Sequence, residues 1–125
     1  MTLFERILTP IALDFKPELV LVSAGFDIYM DDPLGGMNVS SEGFAGLTRS
    51  IMGIADRCCD GRVVAVLEGG YSLQGLRDSV KAVLKELTGQ TKTTADHFTK
   101  SSNPDEIKLL LEQIEGFQRR YWKGF

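Results

Sequence analysis

Three carboxylates and one phenol carry the chemical interest of this chain. Asp27, Asp31 and Asp32 fall within six positions in the stretch VSAGFDIYMDDPLGG, residues 22–36. A second stretch, LEGGYSLQG at 67–75, sets Tyr71 directly after Gly69 and Gly70. A carboxylate at a strand end can bind a divalent metal. A tyrosine hydroxyl can donate a hydrogen bond to a developing oxyanion. Spacing alone favours a plainer role for the aspartates, because Asp in a turn-rich loop more often forms turns and caps helices. EGGYSLQG is a poor phosphate cradle, since neither G-x-G-x-x-G nor G-x4-G-K-[ST] is present.

Both stretches follow short apolar runs that could position them. ELVLVS at 18–23 and RVVAVL at 62–67 are apolar without alternation, as expected of parallel strands covered on both faces. Helical spacing frames them. Residues 2–15 carry an apolar stripe from Leu3 to Phe15, with a Thr2-x-x-Glu5 capping box at the start and Pro10 as a point of kinking or breakage. A second helix is expected over about 41–58, capped by Ser40 or Ser41, and a third over 74–88, closed by Gly89. The order is α-β-loop-α-β-loop-α, two right-handed crossover units of an open parallel sheet. Sites in such sheets form beyond the carboxyl ends of the strands. Neighbouring strands, about 4.8 Å apart, would bring both loops to one rim.

Two strands cannot make a doubly covered sheet by themselves, so the chain reads as part of a larger α/β domain. Residues 1–89 form that part. Residues 90–103 form a polar linker rich in Thr, Ser and Lys, and 104–125 a C-terminal amphipathic helix opened by Asn103 and Pro104.

The bulk properties exclude some roles. The chain has 125 residues, a net charge of −3 and a pI near 5.1, which argues against a nucleic-acid or anionic-membrane surface. No apolar run approaches the roughly 18 residues of a membrane span, and residues 1–15 lack a signal-peptide layout. A cytoplasmic location is expected. Cys58 and Cys59 are adjacent, which does not suit a structural zinc site. His97 is the single histidine and reads as a solvated linker residue.

PELVLVSAGFD, DDPLGGMNVSSEGFAGLT and VLEGGYSLQGL, in this order, resemble the C-terminal part of the histone deacetylase family. The likeness is greatest to class II-like and bacterial members, which include acetylpolyamine amidohydrolases, and runs from about Phe4 to Gly89. It implies an arginase-like α/β fold with a central parallel sheet. It also implies one zinc ion, held by two aspartates and a histidine. A general-base histidine then activates a water that attacks the acyl amide carbonyl, and zinc and a tyrosine hydroxyl stabilise the oxyanion.

Residue by residue, the resemblance implies Asp32, directly before Pro33, as a zinc ligand and Tyr71 as the oxyanion donor. Gly69 and Gly70 would be backbone of the substrate tunnel. Asp27 would be structural, or would orient a ligand from behind. Asp31 has no assigned role, and Gly35 and Gly36 would serve the loop turn. The family's D-x-H segment and its paired histidines are absent from these 125 residues. The expected function is therefore a C-terminal fragment of a zinc-dependent amidohydrolase acting on acyl-lysine or acetylpolyamines. It would be inactive alone and would hold zinc weakly. The alternative is a non-catalytic α/β fragment that binds a partner or forms a homo-oligomer through exposed apolar surface.

Overall fold

The structure, a computed structural model, describes residues 2–91 and 104–125. His97, Asn103 and most of the expected linker lie outside these residues. Pro10 decides the form of the first helix, because its nitrogen has no hydrogen to give to a carbonyl one turn back. The chain does not break there. It opens into a wide turn, Phe4–Leu8, in which the Thr9 N–H reaches the Phe4 carbonyl, five residues back. The wide turn runs straight into α1, Thr9–Phe15. Thr2 is already helical and no side chain caps this end, so the expected capping box does not form. Lys16, at φ 56°, stops α1 in the left-handed region, and Pro17 bars continuation.

β1 (Val20–Ala24) and β2 (Val63–Leu67) pair in parallel, from Val20 opposite Val63 to Ala24 opposite Leu67. α2 (Ser41–Cys59) connects them. Ser40 caps it by accepting from the Gly43 N–H at 3.2 Å, and Asp60 and Gly61, both at positive φ, turn the chain into β2. α3 (Leu73–Leu87) starts in the same way, with Ser72 Oγ accepting from the Gly75 N–H at 3.1 Å. It closes at Gly89, φ 68°: the Gly89 N–H reaches Glu86 O and the Gln90 N–H reaches Lys85 O, which satisfies two late carbonyls.

α2 is the organising element. Phe44, Ala45, Ile54, Ala55 and Cys59 are buried along it, and the Phe44 ring meets Phe26 at 4.9 Å between centroids. Cys59 serves as a small core residue. α2 and α3 are joined by a Ser41–Ser79 hydroxyl contact at 3.4 Å and by a two-pronged Arg49–Glu86 ion pair at 2.6 and 2.9 Å. α4 (Pro104–Gln118) returns to the N-terminal helix. Arg6 pairs with Glu115, Trp122 stands edge-on to Phe15, and the Lys123 N–H donates to Asp14.

The expectation of strands covered on both faces is not met among the described residues. Leu21, Val64 and Val66 point away from α2 and are 68%, 46% and 52% exposed. No helix among the described residues is long and apolar enough to cross a membrane.

Candidate active site

The pairing of β1 and β2 continues past their last residues. The Glu68 N–H donates to Ala24 O at 3.1 Å, and the Phe26 N–H donates to Gly69 O at 2.8 Å. The two outgoing loops are therefore zipped together for two more residues at the carboxyl rim. Asp27 follows this zipper on one loop and Gly70-Tyr71 on the other.

Glycines make the close approach possible. A Cβ on Gly69 would lie 2.6 Å from Asp27 Oδ2, and one on Gly70 would lie 2.9 Å from Phe26 Cβ. Gly70 also sits at φ 131°, a conformation that side chains with a Cβ rarely adopt. Gly35 packs so tightly on the Asp27 carbonyl that any side chain there would collide with it. Gly36 has open space around it. Gly69 thus leaves room for the Asp27 carboxylate, and Gly70 turns the chain towards Tyr71.

The two aspartates differ sharply. Asp32 is 8% exposed and accepts four main-chain hydrogen bonds, two on each oxygen. Oδ1 takes the Leu34 and Gly35 N–H groups at 2.9 and 3.1 Å, closing an Asx turn over Pro33. Oδ2 takes the Tyr71 and Ser72 N–H groups at 2.7 and 3.1 Å, across the gap to the other loop. A carboxylate has about four lone-pair sites, and here all are taken. Burial works to raise the Asp32 pKa, but the combined pull of these N–H donors outweighs it and holds the group below the usual aspartate value. Asp27 is half-buried, and its carboxylate has no hydrogen-bond or ion-pair partner among the described residues.

Asp32 was the expected zinc ligand and Asp27 the expected brace. In this geometry Asp32 has no lone pair left for a metal, and Asp27 has both oxygens available. The plainer reading of an aspartate before Pro-Leu-Gly, a turn former, describes Asp32 better. Asp31 is exposed and makes no contact in this network. The described residues alone do not fit a catalytic zinc site, which takes three protein ligands. No group of three or more His, Cys, Asp or Glu among them could hold a metal.

Tyr71 is 54% exposed, with its hydroxyl unpartnered among the described residues. Its backbone is fixed from two sides, by Gly70 before it and by Asp32 on its own N–H. Sequence reasoning missed one further contact at this rim. The Tyr29 ring lies directly on Gly75, in the first turn of α3, where any side chain would collide with it. The only sequence signal was a glycine early in a helix, a costly choice that needs a packing reason.

The rim thus brings together two strand-end loops, the open Asp27 carboxylate and a tyrosine preceded by two glycines. The sequence profile of the Histone deacetylase domain matches residues 1–87, and the chain belongs to the histone deacetylase family. Three relatives show the range. Histone deacetylase 6 of Caenorhabditis elegans is 36% identical over 98% of this chain and 13% of its own length. A probable deacetylase of Archaeoglobus fulgidus is 40% identical over all of this chain and 38% of its own length. The human polyamine deacetylase HDAC10 is 49% identical over 69% of this chain and 12% of its own length. Among solved structures, the histone deacetylase Clr3 superposes with a TM-score of 0.82 at 31% identity, over 98% of this chain and 19% of Clr3. The HDA15 HD domain does so with a TM-score of 0.77 at 30% identity, over 98% of this chain and 32% of that one. The chain therefore spans well under half the length of these relatives. The arginase/deacetylase-like α/β class expected from sequence is the class of these neighbours.

Proposed function

We propose that this chain is the strand-end portion of a zinc-dependent deacylase that hydrolyses acyl groups from acyl-lysine or acetylpolyamines. The observation that carries this reading is the open Asp27 carboxylate against Gly69, on the rim from which Tyr71 departs. Asp27 contributes one carboxylate ligand, and the remaining ligands and the general base belong to parts of the parent enzyme outside these 125 residues. Zinc, when bound, would polarise the acyl carbonyl and lower the pKa of the attacking water. Tyr71 donates a hydrogen bond to the oxyanion as it forms. Asp32 holds the loops that carry both residues. The chain alone is inactive and binds zinc weakly, because one carboxylate does not make a site.

The test uses two proteins. The pure 125-residue chain should not deacetylate an acetyl-lysine peptide or an N-acetylpolyamine, with or without added zinc. Zinc-dependent turnover abolished by Tyr71→Phe would contradict this. In a longer polypeptide carrying this segment with a complete deacetylase domain, Tyr71→Phe should lower kcat by about 100- to 1,000-fold. In that protein Asp27→Ala should lose bound zinc, whereas Asp32→Asn should keep it.

A second reading has one observation in its favour. The bare sheet face of Leu21, Val64 and Val66, with unpaired outer strand edges, would favour self-association or a partner that completes the sheet. Light scattering that shows a monomer across a wide concentration range would remove it.

A further inference from the structure

The Tyr71 hydroxyl, if it stabilises an oxyanion, must be in place before charge develops, because preorganised donors gain their advantage from not having to move. Nothing among the described residues holds that hydroxyl, and the side chain is half exposed. Its placement must then come from its own backbone. That backbone is held by Gly70, whose conformation suits only glycine, and by Oδ2 of Asp32, which takes the N–H of Tyr71 at 2.7 Å and of Ser72 at 3.1 Å. The other oxygen of Asp32 takes Leu34 and Gly35, in the loop that also carries Asp27. Gly35 packs on the Asp27 carbonyl, so the chain of contacts runs from Tyr71 through Asp32 and Gly35 to Asp27.

We infer that Asp32 is a positioning residue for Tyr71, a main-chain clamp that fixes the tyrosine's Cα relative to Asp27 across the strand-end rim. Three features support this. A carboxylate accepting several N–H groups makes stronger bonds than a neutral acceptor would. The two N–H groups it takes from the second loop belong to Ser72, the N-cap of α3, where helix donors lack intrahelical partners, and to Tyr71 just before it. Tyr29 on Gly75 adds a second grip on the same turn, so the loop holds α3 at two points. Asn at position 32 would keep the shape but present an amide NH2 to one pair of N–H donors, turning two attractions into repulsions.

The inference rests on Tyr71 being an oxyanion donor, but its main test does not need catalysis. In the labelled 125-residue chain, NMR should detect scalar coupling across hydrogen bonds from the Tyr71 and Ser72 amide nitrogens to the Asp32 carboxylate carbon. In Asp32→Asn, amide exchange at Tyr71 and Ser72 should accelerate at least about tenfold, while α2 amides keep their protection. Asp31→Asn should change neither. Retained protection of Tyr71 and Ser72 in a folded Asp32→Asn chain would overturn the inference. If that variant fails to fold, the wild-type coupling decides, and its absence has the same force. In a longer, active polypeptide, Asp32→Asn should lower kcat at least about tenfold with KM and bound zinc unchanged. Loss of zinc in that variant would make Asp32 a ligand and end the positioning role. A normal kcat in Tyr71→Phe would instead end the reading of Tyr71, with the clamp itself still measured by NMR.

Discussion

Asp32 and Glu86 are equally buried, each 8% exposed, yet their surroundings accommodate the charge by opposite means. Glu86, on α3, is met by the guanidinium of Arg49 on α2. Asp32, at the rim, is met by four main-chain N–H groups and, among the described residues, by no cation. An ion pair such as Arg49–Glu86 is replaceable in kind, since an apolar pair of similar volume often serves as well. The Asp32 clamp cannot be exchanged in that way, because its partners are backbone and are placed only by the course of two loops. The difference also matters chemically. An arginine at the rim would pair with the open Asp27 carboxylate and compete with any metal there. Main-chain dipoles stabilise Asp32 without bringing a full positive charge to the site.

Removing Asp32 should break the comparison most severely. Asp32→Ala leaves four N–H donors without their acceptor, and the melting temperature should fall by roughly 10 °C or more. A cooperative transition at the wild-type temperature would show that the clamp adds little. Arg49→Met should cost less, about 1–3 kcal/mol in urea unfolding, because Glu86 loses its main partner while the helix faces stay packed.

Acid should then sharpen the comparison. Both carboxyls titrate below their ordinary values: Asp32 because its N–H donors outweigh the opposing effect of burial, Glu86 because Arg49 outweighs it. A carboxyl whose pKa is lower when folded stabilises the fold fully above its unfolded value, and that stability is lost as pH falls through the folded value. The melting temperature should be level near neutrality and fall from about pH 4 downward. Arg49→Met should flatten part of that fall and Asp32→Asn another part, as measured by melting across pH. The smallest effect belongs to the exposed Arg77–Asp78 pair, where Arg77→Ala should leave the melting temperature unchanged within error.

Sequence patterns reached the architecture readily and the site only in part. α2, β2 and α3 lie within a residue or so of their expected bounds, because the Ser40 cap, the Asp60-Gly61 turn and Gly89 are local signals. β1 begins at Val20 rather than Glu18, since β2 offers its first partner only at Val63. Half of the role of Asp32 was also local: Asp-Pro-Leu-Gly is an Asx-turn sequence. The other half joins residues 39 and 40 positions apart, and no short-range pattern encodes that. The bare side of the sheet was illegible for a similar reason. Leu21, Val64 and Val66 have the composition of covered positions, and composition does not say which chain does the covering.

The wide turn around Pro10 has a consequence for chain length. A single π turn accommodates one residue more than regular α-helix does over the same path. The N-terminal helix therefore behaves as an α-helix carrying a one-residue insertion, with Pro10 as the reason the insertion is tolerated. Deleting one residue from Phe4–Leu8 together with Pro10→Ala should restore regular winding and turn Arg6 by roughly a quarter of a turn relative to Asp14, so that the Arg6–Glu115 pair and the Lys123–Asp14 contact should not both survive. The wide turn therefore sets the angle between Arg6, which meets Glu115 on α4, and Asp14, which meets the main chain at Lys123.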